Sequence, residues 1–92
     1  KIIVVGGGDS AIEAALWLKD NNEVTLSYRK EHFSRIKPQN KEKIEKAIED
    51  QSVNVLFSSN LEAINNHSVS IIKEGEENPV HIENNLVYIF AG

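Results

Sequence analysis

The 92-residue sequence contains no cysteine and no methionine, and it has only two prolines. Without cysteine the chain can form no disulfide and offers neither a thiolate nucleophile nor a cysteine-based zinc site. No apolar run is long enough to cross a membrane, and no signal-peptide pattern is present. Hydrophobic residues make up 40% of the chain and charged residues 26%, as in ordinary globular proteins. These features predict one small domain, and we expect it to lie in the cytoplasm without a membrane partner.

The net charge of −4 is unevenly spread along the sequence. Residues 28–46 contain seven basic and three acidic residues, whereas residues 51–92 contain one basic and five acidic residues. An acidic domain with one basic segment favours a small anionic ligand over a nucleic acid. A solvated helix face explains part of the lysine content equally well.

The opening stretch KIIVVGGGDS carries the strongest motif. The apolar run at residues 2–5 predicts a strand buried on both faces, and a helix is predicted over residues 9–20. The spacing Gly6-x-Gly8-x-x-Ala11 matches the dinucleotide fingerprint of a strand–turn–helix unit. A helix N-terminus has free N–H donors and a partial positive charge, so it suits a pyrophosphate. We predict that this group contacts Gly6, Gly7, Gly8, Asp9 and Ser10; a purely structural turn is the alternative.

The first helix also carries a possible capping motif. Ser10 and Glu13 have the S-x-x-E spacing of a capping box, which predicts that the Ser10 side chain caps the helix.

Basic residues follow the second predicted strand, which covers residues 23–28. NAD-binding domains place an acid near this point for the ribose 2′-hydroxyl, but this sequence has Arg29 and Lys30. Cations suit a 2′-phosphate through charge-assisted hydrogen bonds. We therefore predict that Tyr28, Arg29 and Lys30 bind NADPH, with help from Arg35. Glu31 keeps NAD open as an alternative, and a solvated basic loop is the structural alternative.

The remaining pattern predicts a three-layer α/β domain of the Rossmann type. A helix from Pro38 to about Asp50 and a strand over residues 53–57 continue the β–α alternation. Short strands at residues 61–64, 69–72 and 80–83 predict an antiparallel meander. The apolar run at residues 86–90 predicts a return to the parallel sheet, whose strand order should be third, second, first, last.

No catalytic or metal site is predicted within the chain. His32, His67 and His81 show no ligand spacing, and no nucleophile–base pair or paired carboxylates can be argued from the spacing. Because the sequence opens on the first core strand and closes on Ala91-Gly92, we expect residues 1–92 to be one domain of a larger protein.

With these residues placed, the chain resembles the NAD(P)H-binding domain of thioredoxin-reductase-like flavoproteins, in the pyridine nucleotide-disulfide oxidoreductase family. The resemblance rests on VVGGGDSAIEAALWL, VTLSYRKEHF and LVYIFAG, and it covers essentially the whole chain. It implies that the domain binds NADPH and passes hydride to FAD held by another domain of a parent protein that can be a homodimer. Thioredoxin reductases hold the 2′-phosphate with His-Arg-Arg followed by Phe-Arg. Here Tyr28-Arg29-Lys30 and Phe33-Ser34 stand in those places, with Arg35 one position late.

Alternatives to this function remain at the level of the sequence. Thioredoxin reductases place a Cys-x-x-Cys just ahead of the glycine strand. This chain has none, so a disulfide reductase, a ferredoxin reductase and another flavin oxidoreductase stay open. A non-catalytic Rossmann module that senses a nucleotide is a second hypothesis, although the meander favours the oxidoreductase. An FAD-binding half would be expected to carry an acid near Tyr28, which is missing. We expect the isolated chain to hold no flavin and to turn over no substrate, because it has a single fingerprint.

Overall fold

A computed structural model describes residues 1–90, and Ala91 and Gly92, which end the LVYIFAG motif, lie outside the described residues. The described chain forms two helices and seven strands. In chain order these are β1 (Ile2–Gly6), α1 (Asp9–Leu18), β2 (Val24–Tyr28), α2 (Pro38–Glu49), β3 (Val53–Leu56), β4 (Ser59–Ile64), β5 (Ser68–Lys73), β6 (Val80–Glu83) and β7 (Leu86–Ile89).

A four-stranded parallel sheet forms the centre of the molecule, in the order β3-β2-β1-β7. This is the predicted order, and it follows because right-handed crossovers place successive strands side by side. Alternate residues of β1 supply two cores. Ile2 and Val4 pack with the helices, and Ile3 and Val5 pack with the other side of the sheet. Burial on both faces is why the strand is a continuous apolar run.

An antiparallel meander in the order β4-β5-β6 covers the face of the sheet opposite the helices, which confirms the predicted meander. Val69 and Ile71 of β5 are fully buried against Ile3 and Val5 of the parallel sheet. A buried pair of hydroxyls links the two sheets. The Ser59 Oγ donates to the Leu56 carbonyl at 2.6 Å and lies 2.8 Å from the Ser27 Oγ. Because Ser59 has one hydroxyl hydrogen, Ser27 is the donor in the second bond.

The predicted capping box is wrong. Gly8 is the N-cap residue, with an extended backbone, and Asp9 already begins the helix. Ser10 is therefore an exposed residue inside the first turn, and no side-chain hydrogen bond caps α1 within residues 1–90. Glu13 turns instead toward α2, where its Oε2 accepts a hydrogen bond from the Asn40 amide at 2.8 Å.

The ends of several elements differ by one to two residues from the prediction. Helix α1 ends at Leu18, whose carbonyl accepts a hydrogen bond from the Asn22 side chain at 3.0 Å. Strand β3 ends at Leu56, and the ring of the next residue, Phe57, packs against those of Tyr28 and Phe33.

Candidate nucleotide-binding site

The carboxyl ends of all four parallel strands meet at one edge of the central sheet. Open α/β sheets bind ligands at this edge, between two neighbouring strands whose chain connections run in opposite directions across the sheet. Here that point lies between β1 and β7, because β1 connects through α1 to β2 on its other side. Backbone hydrogen bonds continue the strand pairing up to this edge. The Arg29 N–H donates to the Gly6 carbonyl at 3.2 Å, and the Phe90 N–H donates to the Val5 carbonyl at 2.8 Å.

Gly6 lets α1 begin close to the sheet. A Cβ at Gly6 would lie 2.6 Å from the Cβ of Ala11, and 3.4 Å from the Cβ of Phe90. Any side chain at residue 6 would therefore push the helix away from the end of β1. The first and last positions of the fingerprint thus have a packing role in this chain.

The guanidinium of Arg29 covers the second glycine of the turn. A Cβ at Gly7 would lie 2.9 Å from the Arg29 Nε and 3.0 Å from its Nη2. A Cβ at Gly8, in contrast, would have no heavy atom of the described residues within 4 Å. The open space above Gly8 adjoins the first turn of α1, whose leading N–H groups have no acceptor within the helix. A cation and a set of free N–H donors therefore lie side by side at this edge.

Asp9 joins the starts of the two helices. Its Oδ1 accepts hydrogen bonds from the Lys37 N–H at 2.9 Å and from the Asn40 amide at 2.8 Å. These bonds, the Lys37 N–H first, hold the pKa of Asp9 below its ordinary value of 3.8. The Lys37 ammonium also lies 3.6 Å from Glu13 Oε2. The cofactor contact of Asp9 stays a prediction. In the structure its carboxylate binds the start of α2.

Asn40 is a buried polar residue that sequence reasoning missed. It shares the buried stripe of α2 with Ile44 and Ala47. An amide at the helical spacing of a buried stripe is the sequence feature that could have found it, because a buried amide requires partners from another element.

Tyr28 is fully buried, and its ring packs edge-on against Phe33 at 4.9 Å and Phe57 at 6.0 Å between centroids. Burial, followed by the nearby charge of Asp9, raises the pKa of its hydroxyl above 10.0. Its side chain therefore belongs to the core, and the cofactor contact of Tyr28 stays a prediction. Strand alternation did not reveal this, because β2 is buried on both faces.

The three predicted cations occupy different positions. Arg29 and Lys30 are exposed and follow β2 directly, whereas Arg35 is exposed in the connection to α2, with a left-handed backbone (φ 56°). The structure thus brings Arg29 to the glycine turn and leaves Arg35 in a separate turn.

An open cleft of about 300 Å³ lies beside Arg29 on the meander side of the edge. Lys73 lines it, and no sequence pattern had singled out this residue. The other lining residues are Ser58, Asn60, Ile72, Glu74, Gly75 and Glu76. A larger cleft of about 540 Å³ borders Trp17 and Asp50, near the far ends of α1 and α2, and so does not belong to this edge.

Within residues 1–90, no group of three metal-ligating side chains is arranged to hold a metal ion. Neither described helix combines the length and apolar composition required to cross a membrane.

Comparison with known proteins assigns the fold to a family. The family model described as "Pyridine nucleotide-disulphide oxidoreductase" matches residues 1–92. No curated protein sequence matches the chain. Among solved structures, the bacillithiol disulfide reductase Bdr (YpdA) from Staphylococcus aureus shares 29% identity with a TM-score of 0.91, over 100% of this chain and 28% of its own.

Two other structures show how widely the fold is shared. Thioredoxin reductase from Streptococcus pyogenes has 26% identity and a TM-score of 0.82, over 99% of this chain and 30% of its own. L-lysine 6-monooxygenase from Pseudomonas syringae has 16% identity and a TM-score of 0.84, over 99% of this chain and 35% of its own, which shows the fold alone. The chain spans about 28% of the length of the bacillithiol disulfide reductases that it matches. Because the family model covers every residue, the chain belongs to the pyridine nucleotide-disulphide oxidoreductase family.

Proposed function

We propose that this chain is the NADPH-binding domain of a thioredoxin-reductase-like flavoprotein oxidoreductase. The observation that carries the proposal is the Arg29 guanidinium over Gly7, directly beside the uncapped N-terminus of α1. NADPH has two anionic parts, the pyrophosphate and the 2′-phosphate, and this edge offers N–H donors to the first and a cation to the second.

The residues present fit NADPH. The backbone from Gly6 to Ser10 would hold the pyrophosphate, because the space above Gly8 is open and the leading N–H groups of α1 point toward it. Arg29 and Lys30 would hold the adenosine 2′-phosphate, with a contribution from Arg35. NADPH supplies the hydride, and the FAD that accepts it would be held by another domain of the parent protein.

The wider setting belongs to the same proposal. Residues 1–92 would form one domain of a larger FAD-dependent enzyme in the cytoplasm, where the partner is the FAD domain of the parent chain. A homodimeric parent is the expected assembly.

The decisive test is a calorimetric titration of NADPH and NADH into wild type and the double variant Arg29→Ala/Lys30→Ala. Each charge-assisted contact contributes roughly 1.5–3 kcal/mol, and this contribution is reduced by the solvent exposure of the site and by salt screening. We expect NADPH binding to weaken at least about tenfold, which corresponds to ~1.4 kcal/mol. NADH binding should change little, because NADH has no 2′-phosphate.

The matched control is Lys41→Ala/Lys43→Ala, which removes two exposed charges from α2. This control should leave both affinities as in wild type. A wild-type preference for NADH, or an equal loss of both cofactors in the Arg29/Lys30 variant, would overturn the assignment of the 2′-phosphate.

A further inference from the structure

Lys73 lies at the end of β5, and it is the single basic residue of residues 51–92. The meander folds back beneath the parallel sheet and brings this lysine to the cleft of about 300 Å³ that Arg29 also lines. A cation from the acidic half of the chain thus reaches the basic segment that follows β2.

The Lys73 ammonium forms no ion pair within residues 1–90, although the residue is partly buried. An anion bound in the cleft would therefore supply the counter-charge of this lysine. Glu74 and Glu76 also line the cleft and are exposed. A bound anion would be attracted by Arg29 and Lys73 and repelled by these carboxylates.

Backbone hydrogen bonds hold the chain segments that carry Arg29 and Lys73 next to each other. The Ser58 N–H donates to the Lys30 carbonyl at 2.9 Å, and the Ser58 carbonyl accepts from the Glu74 N–H at 2.7 Å. Ser58 has a left-handed backbone (φ 50°), a conformation that the surrounding contacts must maintain. One residue therefore ties the segment of Arg29 and Lys30 to the turn that follows Lys73.

We propose that Lys73 is a third cation for the 2′-phosphate of NADPH and so contributes to the choice between NADPH and NADH. This inference rests on the proposed function, because it assigns a further residue to the same site. The phosphate would lie in the cleft between the guanidinium of Arg29 and the ammonium of Lys73. Charge alone makes the discrimination, because the corresponding hydroxyl of NADH is neutral.

The test is Lys73→Gln, with NADPH and NADH titrated calorimetrically at two fixed salt concentrations. We expect NADPH binding to weaken about five- to tenfold and NADH binding to stay unchanged, with a smaller loss at the higher salt because exposed charges are screened. Lys41→Gln, an exposed lysine on α2, is the matched control and should change neither affinity. Lys73→Arg keeps the charge and should retain the preference for NADPH.

The outcomes separate this inference from the proposed function. If Arg29→Ala/Lys30→Ala removes the preference for NADPH but Lys73→Gln leaves it intact, the role of Lys73 is overturned and the proposed function stands. If the double variant leaves the preference intact, or if wild type binds neither cofactor, the proposed function itself fails. Circular dichroism verifies the fold of each variant, and Lys73→Met, which keeps the apolar stem, replaces Lys73→Gln if that variant does not fold.

Discussion

At the scale of single residues, the carboxyl edge combines structural and ligand-facing tasks in neighbouring side chains. Gly6 is required by the close approach of Ala11, whereas the space above Gly8 is open. Asp9 faces the start of α2, and the Tyr28 ring is in the core. The backbone of the glycine turn and the exposed side chains of Arg29 and Lys30 lie beside these packed groups. A fingerprint therefore does not mean that each of its side chains contacts a cofactor.

Asp9 makes stability depend on pH in the acid range. Its pKa is lowered in the folded protein by the Lys37 N–H and the Asn40 amide, so the folded state binds fewer protons than the unfolded state near that pKa. The stabilisation is present above the ordinary pKa of 3.8 and is lost as the pH falls through the lowered value. We expect the advantage of wild type over Asp9→Asn to shrink as the pH falls below about 4.

Urea unfolding of both proteins from pH 7 to pH 2.5 measures this difference. Asp9→Asn is the matched variant, because the asparagine carbonyl can still accept both hydrogen bonds but cannot titrate. Equal pH dependence of unfolding in the two proteins would contradict the role of Asp9.

At the scale of elements, α2 ends in a Schellman motif that carries an unfavourable residue. The Ser52 N–H donates to Ala47 at 2.8 Å, and the Gln51 N–H donates to Ile48 at 3.1 Å. Gln51 occupies the position after the C-cap with a left-handed backbone (φ 66°), where glycine is strongly preferred. The helix terminates here because its last carbonyls find these donors, even though the residue is not glycine.

Gln51→Gly should stabilise the protein, because glycine removes the steric cost of the left-handed conformation. We expect a gain of about 0.5–1 kcal/mol in the free energy of unfolding, after the greater flexibility of glycine in the unfolded chain is deducted. Chemical denaturation measures the change. Gln51→Ala keeps a Cβ at this position and is the control; a comparable gain in that variant would show that backbone strain at Gln51 is not the cause.

At the scale of the whole molecule, one parallel sheet separates two helices from the meander, within a radius of gyration of 12.2 Å. The sheet ends at β7, where Leu86 and Tyr88 are 54% and 39% exposed. They share a face with Ile2 and Val4 of β1, which belong to the core on the helix side of the sheet. The carboxyl edge with the candidate site, in contrast, has contributions from β1, β2, β3 and the meander, so the candidate site depends on the assembled layers.

The whole chain should bind a pyridine nucleotide without catalysis. It has one dinucleotide fingerprint, and hydride transfer requires a second cofactor positioned by another domain. We expect the purified chain to show no flavin absorbance and no oxidation of NADPH. Absorption spectroscopy and an NADPH oxidation assay in the presence of free FAD are the measurements. A yellow protein, or turnover above that of free FAD alone, would refute this expectation.

Most of the fold could be predicted from the sequence, because the features that determine it are local. Continuous apolar runs identify the buried strands, glycine and proline mark the turns, and right-handed crossovers leave one strand order for β1, β2 and β3. The glycine fingerprint likewise placed the candidate site at the end of β1. The cations after β2 were visible as a change in the sign of charge, independent of any distant contact.

The tertiary structure alone decided which side chains meet across elements. Strand periodicity cannot say that the Tyr28 ring joins Phe33 and Phe57, because both faces of a central strand are buried. The Asp9–Asn40 bond depends on how α1 packs beside α2, and a local capping pattern suggested a different partner. Lys73 reaches the cleft beside Arg29 because the meander returns beneath the sheet, and such a long-range approach has no periodicity in the sequence.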